Sequence, residues 1–289
     1  MIRKILVPVS GTQSDEFVFA TALALAERQG AHLAFHHVRL SVTEAALHAP
    51  HMSFCIGRGL TNAMGLLDRT VETLSARAAG HVESFCGDFG IQLGGHPAAD
   101  GEVTASWSES ADRNNEDLLR RARHADLTVL ARPRHTDYMP ADLPEILLLN
   151  SGRPVVLAPD DVRPPPAIDT VMLAWKETPA TARALSAAIP LLQKARRVIV
   201  VRVRESAEDA EILDGLVQDL APHHVAAESR LIENPRQPIA DLLLDAAADL
   251  RADLLVLGAY SRRPLTERIF GGVTRSILET APLPVFLLH

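Results

Sequence analysis

The chain has 289 residues and is short of cysteine, aromatic side chains and long apolar segments. Its two cysteines, Cys55 and Cys86, form no CxxC pair, so a disulfide framework is excluded and a reduced, cytoplasmic setting is expected. Aromatic residues make up 4% of the chain, so the core must consist mostly of Leu, Val, Ile and Ala. No apolar run reaches the roughly 20 residues that a membrane-spanning helix needs, and the first residues lack the layout of a signal peptide.

A surplus of basic residues is also missing, since the formal net charge is −7 at pH 7. This balance argues against a broad nucleic-acid-binding surface. We therefore expect neither nucleic acid nor a membrane as a partner. Hydrophobic residues account for 47% of the chain, which is enough for a sizeable core in each of two domains of about 145 residues.

Three short patterns occur twice along the chain in the same order, which indicates an internal duplication. A proline-rich stretch between the copies, DDVRPPPA at 160–167, reads as a stiff linker. We therefore predict two domains, at residues 1–160 and 168–289. The repeated patterns are KILVPVSGT at 4–12 with TVMLAWKET at 170–178, ADLTVLA at 125–131 with ADLLVLG at 252–258, and GRPVVLA at 152–158 with LPVFLL at 283–288.

Both copies alternate short apolar runs with stretches of helical spacing, which predicts an α/β fold. Right-handed crossovers between parallel strands then give each half an open, doubly wound sheet of about five strands, of the Rossmann-like type. A ligand of such a sheet binds at the carboxyl ends of the strands. The sequence assigns no structure to residues 100–110, which are polar and mixed.

The end of the chain contains a glycine-bounded loop between a strand and a helix. Asp253 to Leu257 has the composition of a buried strand, Gly258 closes it, and Val273 to Thr280 has helical spacing. The pair Gly271-Gly272 precedes this helix. Unpaired backbone N–H groups at a helix start suit a phosphate group.

The spacing of this loop resembles that of the universal stress protein family. Nucleotide-binding members carry G-x-x-G, nine residues, and then G-[S/T]. Here Gly258 and Gly271 match the first and third glycines, whereas Ser261 and Gly272 stand where a glycine and a hydroxyl residue are expected. The flanking runs LVLGAY, IFGGVTRSIL and PLPVFLL resemble the family as well, and so does the first unit, KILVPVSGT to AHLAFHHVR.

The resemblance implies an adenine nucleotide alpha hydrolase-like fold and a role in the stress response by binding and signalling. It implies that the last strands of the two halves, Pro154 to Ala158 and Val285 to Leu288, pair within the chain. Whether two chains pair further as a homodimer is left open by the sequence. The implied ligand is ATP or another adenine nucleotide, with no metal beyond nucleotide-bound magnesium. Protein partners are expected but not identified.

In this family an acidic residue after the first strand takes the ribose hydroxyls, but Lys176 stands there in the second half. A lysine cannot accept those bonds, so either the ribose is held differently or Lys176 meets an anion. Trp175 either stacks on a base or packs in the core. Gly271 and Gly272 would hold phosphates through their amides, with hydroxyl groups from Ser261 and Thr274. The candidate nucleotide-binding residues are Trp175, Lys176, Gly258, Ser261, Gly271, Gly272, Val273 and Thr274.

The corresponding loop of the first half, ARPRHTDYMPADLPEI, is unsuited to phosphate because its prolines have no N–H to donate. Arg132 and Arg134 either contact an anion there or belong to a solvated loop. His48 and His51 have a spacing seen in metal sites, but no third ligand accompanies them. We expect no metal site and no nucleotide in the first half.

Three functions remain open from the sequence. One is a stress-response protein that acts by binding, and another is an ATP-binding or slowly ATP-hydrolysing switch. A third is a ligand-free scaffold, with the helical segment Leu60 to Phe85 as a partner surface or an apolar pocket. Because no Walker A or G-x-S-x-G pattern is present and no residue is marked as a nucleophile, we assign no catalytic residue.

Overall fold

The computed structural model describes most of the chain, and the statements below concern that part. It covers residues 1–39, 58–94, 101–111, 116–132, 140, 142–160, 167–233, 236–259 and 272–289, with side chains from residue 68 onward in the second range. The predictions for Cys55, His48, His51, residues 161–166 of the linker and the loop residues 260–271 lie outside these ranges. The domain boundaries at 160 and 168 therefore stay a prediction.

Strands and helices alternate through both halves, as the repeated patterns predict. The first half contains β1 (Lys4–Val9), α1 (Ser14–Gln29), β2 (His32–Arg39), α2 (Arg58–Asp88), β3 (Gln92–Leu93), β4 (Thr104–Ala111), α3 (Glu116–Arg123), β5 (Leu127–Ala131), α4 (Leu143–Asn150) and β6 (Val155–Ala158). The second half contains β7 (Thr170–Ala174), α5 (Pro179–Leu192), β8 (Arg197–Val203), α6 (Asp209–Leu220), β9 (Ala227–Ile232), α7 (Ile239–Asp249), β10 (Leu254–Gly258), α8 (Gly272–Thr280) and β11 (Val285–Leu288). Among the described residues, no helix is long and apolar enough to cross a membrane.

The described strands form one sheet in the order β3-β4-β2-β1-β5-β6-β11-β10-β7-β8-β9. Each half repeats the same order of parallel strands, and the halves meet where β6 pairs antiparallel with β11. Val156 lies opposite Phe286 at this junction. The α/β fold class is confirmed, with two refinements. The two expected sheets are continuous, and the first half has a sixth described strand, β3, at its edge.

Two apolar layers cover the two faces of the sheet. One layer contains α1, α2, α5 and α6, and the other contains α3, α4, α7 and α8. Aliphatic side chains fill most of both layers, as the low aromatic content requires. Aromatic contacts occur in the first layer, where the rings of Phe19 and Phe35 pack edge to face with centroids 4.8 Å apart. The strands at the junction are buried on both faces, and Phe286 is fully buried there.

The repeated pattern A-D-L corresponds to a repeated hydrogen-bond arrangement. The Asp126 carboxylate accepts hydrogen bonds from the backbone N–H groups of Arg3 at 2.8 Å and Lys4 at 3.0 Å. In the second half, the Asp253 carboxylate accepts from Asp169 at 2.9 Å and Thr170 at 2.8 Å. In both halves an aspartate before the fourth main strand therefore fixes the start of the first strand, so this repeat is structural.

Strand β4 occupies part of the segment that the sequence left unassigned. Its residues TASWSESA carry hydroxyl groups at every second position, and hydroxyl-rich segments are also typical of loops. In the structure these hydroxyl groups lie on one face and bond to histidines of β2. His32 contacts Thr104 through Nδ1 and Ser106 through Nε2, both at 2.8 Å. The β2 histidines whose hydrogen bonds stabilise β4 as a strand are therefore distant from it in sequence.

Candidate functional site

The crevice predicted for the second half lies at the carboxyl ends of β7 and β10. These strands are neighbours, with Met172 opposite Leu255. The helices that follow them, α5 and α8, pack on opposite faces of the sheet. Where the helices that follow two neighbouring strands pack on opposite faces, a crevice opens between the strand ends. Ligands of open α/β sheets bind in such a crevice. The structure places Trp175 and Lys176 after β7, Gly258 at the end of β10, and Gly272 to Thr274 at the start of α8.

Gly258 lies directly against the first turn of α5. A Cβ atom at this position would be 2.4 Å from the backbone nitrogen of Thr181 and 2.7 Å from the carbonyl carbon of Ala180. Both atoms belong to the backbone, so no side chain can move aside. Close packing of helix on strand is therefore sufficient to require a glycine here, whether or not a ligand binds.

Trp175 continues the ladder between β7 and β8. Its backbone N–H donates to the carbonyl of Val201 at 2.7 Å. Its partly buried ring packs against the first apolar layer, beside α5 and α6. Of the two roles predicted for Trp175, these contacts favour packing in the core.

Lys176 forms an ion pair at the surface. Its Nζ lies 2.9 Å from Oε1 of Glu205, and the two side chains are 57% and 51% exposed. An exposed pair of this kind contributes about 0–1 kcal/mol, so the lysine is held only weakly. The pair nevertheless brings a carboxylate next to the position where the resembled family has its acidic residue.

The start of α8 is open among the described residues. Gly272 is exposed, and nothing lies within 4 Å of the position where its Cβ would be. Val273 packs against the second apolar layer, and Thr274 is buried at 6% exposure. Ser261 and Gly271, predicted to share this site, lie outside the described residues. The open helix start offers unpaired backbone N–H groups to an anion.

The corresponding helix start in the first half is closed. Helix α4 begins at Leu143 and Pro144, which are both buried, and the Leu143 N–H donates to the carbonyl of Pro140 at 3.0 Å. Proline supplies no N–H, so this end has fewer donors than the start of α8. That the first half does not bind phosphate stays a prediction.

In the loop after β1, two backbone N–H groups already donate to a side chain of the same protein. Asp15 is 2% exposed, and its carboxylate accepts hydrogen bonds from the backbone N–H groups of Ser10 at 2.8 Å and Gly11 at 2.9 Å. His81 contacts the same carboxylate at 2.9 Å. Asp15 therefore binds the loop that precedes its own helix.

Comparison with known proteins identifies the second half of the chain. A model of the universal stress protein family matches residues 167–289. Residues 167–289 belong to the universal stress protein family. This match spans the open start of α8 and all five strands of the second half. No curated protein matches the chain.

Solved structures extend the likeness in fold to the whole chain. A universal stress protein from Archaeoglobus fulgidus DSM 4304 is 13% identical, with a TM-score of 0.69 over 99% of this chain and 97% of its own. A putative universal stress protein from Pseudomonas aeruginosa UCBPP-PA14 is 15% identical, with a TM-score of 0.57 over 99% and 93%. The first half therefore shares the universal stress protein fold, although the family model matches only the second.

A polar network beneath α3 in the first half has no counterpart in the sequence predictions. His36 is 1% exposed, and its Nδ1 lies 2.9 Å from Oγ of Ser108. Its Nε2 lies 3.0 Å from Oγ of Ser110 and 3.3 Å from Oδ2 of Asp117. Period-two alternation in HLAFHH and TASWSES was the only signal of this network in the sequence.

Burial and charge set the protonation of this network. Burial, followed by the Arg121 guanidinium, lowers the pKa of His36 to about 4, so the imidazole is neutral at pH 7. Burial acts to raise the pKa of Asp117, but hydrogen bonds from Arg121 and Ser110 outweigh it and lower that pKa to about 2. Within the described ranges, no group of three His, Cys, Asp or Glu side chains could hold a metal ion.

The buried imidazole should make stability depend on pH. Its pKa falls from 6.5 in the unfolded chain to about 4 in the fold, so between these values only the unfolded state takes up the proton. The free energy of unfolding should therefore decrease by about 3 kcal/mol as the pH falls from 6.5 to 4. Urea unfolding at several pH values, compared between the wild type and His36→Gln, isolates this contribution. Equal pH slopes for both proteins would contradict it.

Proposed function

We propose that this protein is a stress-response binding protein whose adenine-nucleotide site lies in its second, universal stress protein half. The supporting observation is the contrast between the two helix starts, since Gly272 leaves α8 open whereas Leu143 and Pro144 close α4. The family match to residues 167–289 points to the same half. On this proposal the protein acts by binding and signalling rather than by turnover.

The chemistry of an open helix start favours the phosphate end of such a ligand. The N-terminus of a helix carries a partial positive charge and unpaired N–H donors. A glycine at the first helical position lets phosphate oxygens approach the backbone closely. Gly272 lies at such a helix start and is a glycine at the first helical position. Among the described residues, no side chain lies within 4 Å of its Cβ position.

At the ribose end, this chain lacks the acidic residue of the family pattern. The ribose hydroxyls therefore need another hydrogen-bond acceptor. Lys176 cannot accept from hydroxyl groups, but its partner Glu205 can. Glu205 lies just beyond β8, and its carboxylate is half exposed. We therefore assign the ribose hydroxyls to Glu205, whose carboxylate lies beside Lys176.

Thermal unfolding with millimolar Mg-ATP, ADP or AMP tests the proposal. A ligand at about 100 times its Kd stabilises the fold by about 2.7 kcal/mol, which raises the unfolding midpoint measurably. Gly272→Val should remove this rise without destabilising the free protein, because no described residue lies within 4 Å of the Cβ position. Gly215→Val is the matched control, since Gly215 is exposed in α6 and also has nothing within 4 Å of its Cβ position.

Retention of the full nucleotide-induced rise in Gly272→Val would exclude the start of α8 as the phosphate site. Release of inorganic phosphate from ATP in the same samples separates a hydrolysing switch from a binding protein. Absence of any midpoint change with all three nucleotides would contradict nucleotide binding altogether.

A ligand-free scaffold is the second candidate. It is favoured because Gly258 is explained by packing against α5 and Lys176 by its ion pair with Glu205. On this alternative the motif residues are retained for structure, and the function depends on protein partners. Pairing of two chains as a homodimer likewise stays a prediction.

A further inference from the structure

The first half places a serine, a histidine and an aspartate in contact, far from the crevice of the second half. Strands β2 and β4 are parallel neighbours, and their register sets His36 directly opposite Ser108. The Ser108 hydroxyl lies 2.9 Å from Nδ1 of His36, although the residues are 72 positions apart in sequence. Because of this separation, no local sequence motif indicated that Ser108 and His36 are in contact.

The second ring nitrogen of His36 faces an anchored carboxylate. Asp117 Oδ2 lies 3.3 Å from Nε2, and Arg121 Nε donates to the same oxygen at 2.6 Å. A carboxylate favours the tautomer that carries its proton on the facing nitrogen. The other nitrogen, Nδ1, then accepts from the Ser108 hydroxyl at 2.9 Å, and the alternative acceptor for that proton is the Phe35 carbonyl oxygen at 3.4 Å. This is the relation of nucleophile, base and orienting acid found in serine nucleophiles on unrelated folds.

A cation lies beside the nucleophile. Nη1 of Arg121 donates to Oγ of Ser108 at 3.3 Å. A guanidinium in this position favours loss of the Ser108 hydroxyl proton, because it stabilises the negative charge that then develops on Oγ. Burial keeps the imidazole neutral at pH 7, so Nδ1 has a lone pair for the proton, and the lowered pKa makes His36 a weaker base than a free histidine.

Ser108 is partly exposed near the border of the sheet. Edge strand β3 pairs only with Thr104 and Ala105 of β4. Among the described residues, no strand covers β4 beyond this point. A small molecule therefore has a route to Ser108 that a central strand would not provide.

We propose that Ser108 is a nucleophile that accepts an acyl group from a small activated ester, with His36 as the general base. Ser108 Oγ attacks the ester carbonyl carbon while its proton passes to Nδ1 of His36. The tetrahedral intermediate collapses, the ester C–O bond breaks, and the alcohol leaves with that proton. Water, activated by the same nitrogen, then hydrolyses the acyl-serine to a carboxylic acid. Asp117 is a positioning residue, because it contacts the imidazole and not the reacting atoms.

This activity is independent of the proposed nucleotide function. The two sites lie in different halves, and they share no residue. Failure of nucleotide binding would leave the Ser108 proposal unchanged, and failure of acylation would leave the nucleotide proposal unchanged.

Reaction of the full chain with p-nitrophenyl acetate tests the proposal. We expect a burst of p-nitrophenol approaching one equivalent, and one acetyl group located on Ser108 by peptide mass spectrometry. Ser108→Ala should abolish both. Ser106→Ala is the matched control, because its hydroxyl lies on the same face of β4 but contacts His32 and not His36.

Variants of the two supporting residues separate catalysis from packing. His36→Gln should slow acylation by roughly 10²- to 10⁴-fold, which is the usual contribution of a general base. Asp117→Asn should slow it and alter its pH profile, because an amide no longer selects the same tautomer. A loss of fold would change the circular dichroism, so only variants with a wild-type spectrum are compared.

Acetylation of surface lysines or other histidines alone, with Ser108 unmodified, would overturn the proposal. So would equal burst amplitudes for the wild type and Ser108→Ala. A burst that is lost in Ser106→Ala but kept in His36→Gln would also contradict the assigned roles.

Discussion

Gly258→Val should lower the thermal unfolding midpoint by roughly 10 °C. Its side chain would begin 2.4 Å from the Thr181 backbone nitrogen, and neither helix nor strand can yield locally. Overpacking of this kind costs about 1–3 kcal/mol. The Thr181 N–H also donates to the capping hydroxyl of Thr178, whose loss adds about 1 kcal/mol. The two costs together destabilise the fold by about 2–4 kcal/mol. At about 2–4 °C per kcal/mol for a domain of this size, the unfolding midpoint falls by roughly 10 °C.

The same substitution at Gly272 is the control for Gly258→Val. Gly258 ends β10 and Gly272 begins α8, but among the described residues nothing lies within 4 Å of a Cβ at Gly272. Calorimetry of the two free variants should therefore show a large fall for one and little change for the other. Equal midpoints would mean that α5 does not lie as close to β10 as the structure shows.

Phe286→Ala should destabilise the protein by about 3–5 kcal/mol, the usual cost of truncating a buried phenylalanine. Phe286 is fully buried on β11 and lies opposite Val156 of β6, at the junction of the halves. Phe286→Leu retains most of the volume and should cost less than about 1.5 kcal/mol. Urea unfolding measures both changes.

The two tryptophans report on the two halves separately. Trp107 belongs to β4, and Trp175 follows β7. Because β6 and β11 join the halves into one sheet, single-tryptophan variants should unfold with coincident midpoints, and Phe286→Ala should shift both equally. A shift reported by only one tryptophan would show that the halves unfold independently.

Much of the fold was predictable because its signals are local or repeated. Apolar runs marked the central strands, since parallel strands covered on both faces are apolar almost throughout. The repeated A-D-L pattern marked equivalent positions, and Asp126 and Asp253 indeed make the same backbone contacts. The pairing of the last strands, expected from the family resemblance, is confirmed by the antiparallel register of β6 and β11.

The remaining features depend on contacts between distant segments. Strand β4 was unassigned because its alternating serines resemble a loop until the histidines of β2 are placed beside them. The Ser108–His36 contact depends on the same pairing. At the candidate site, the sequence marked Gly258 and Lys176 but not the backbone of α5 or the carboxylate of Glu205. Proximity of these groups follows from the packing of helices on strands, which no local pattern encodes.

The antiparallel junction of β6 with β11 fixes the directions of the two halves. Because every other neighbouring pair of described strands is parallel, all strands of the first half run opposite to those of the second. The strand ends that carry Ser10 and Lys176 therefore face opposite sides of the molecule. A ligand that covers the strand ends of one half therefore leaves those of the other half uncovered.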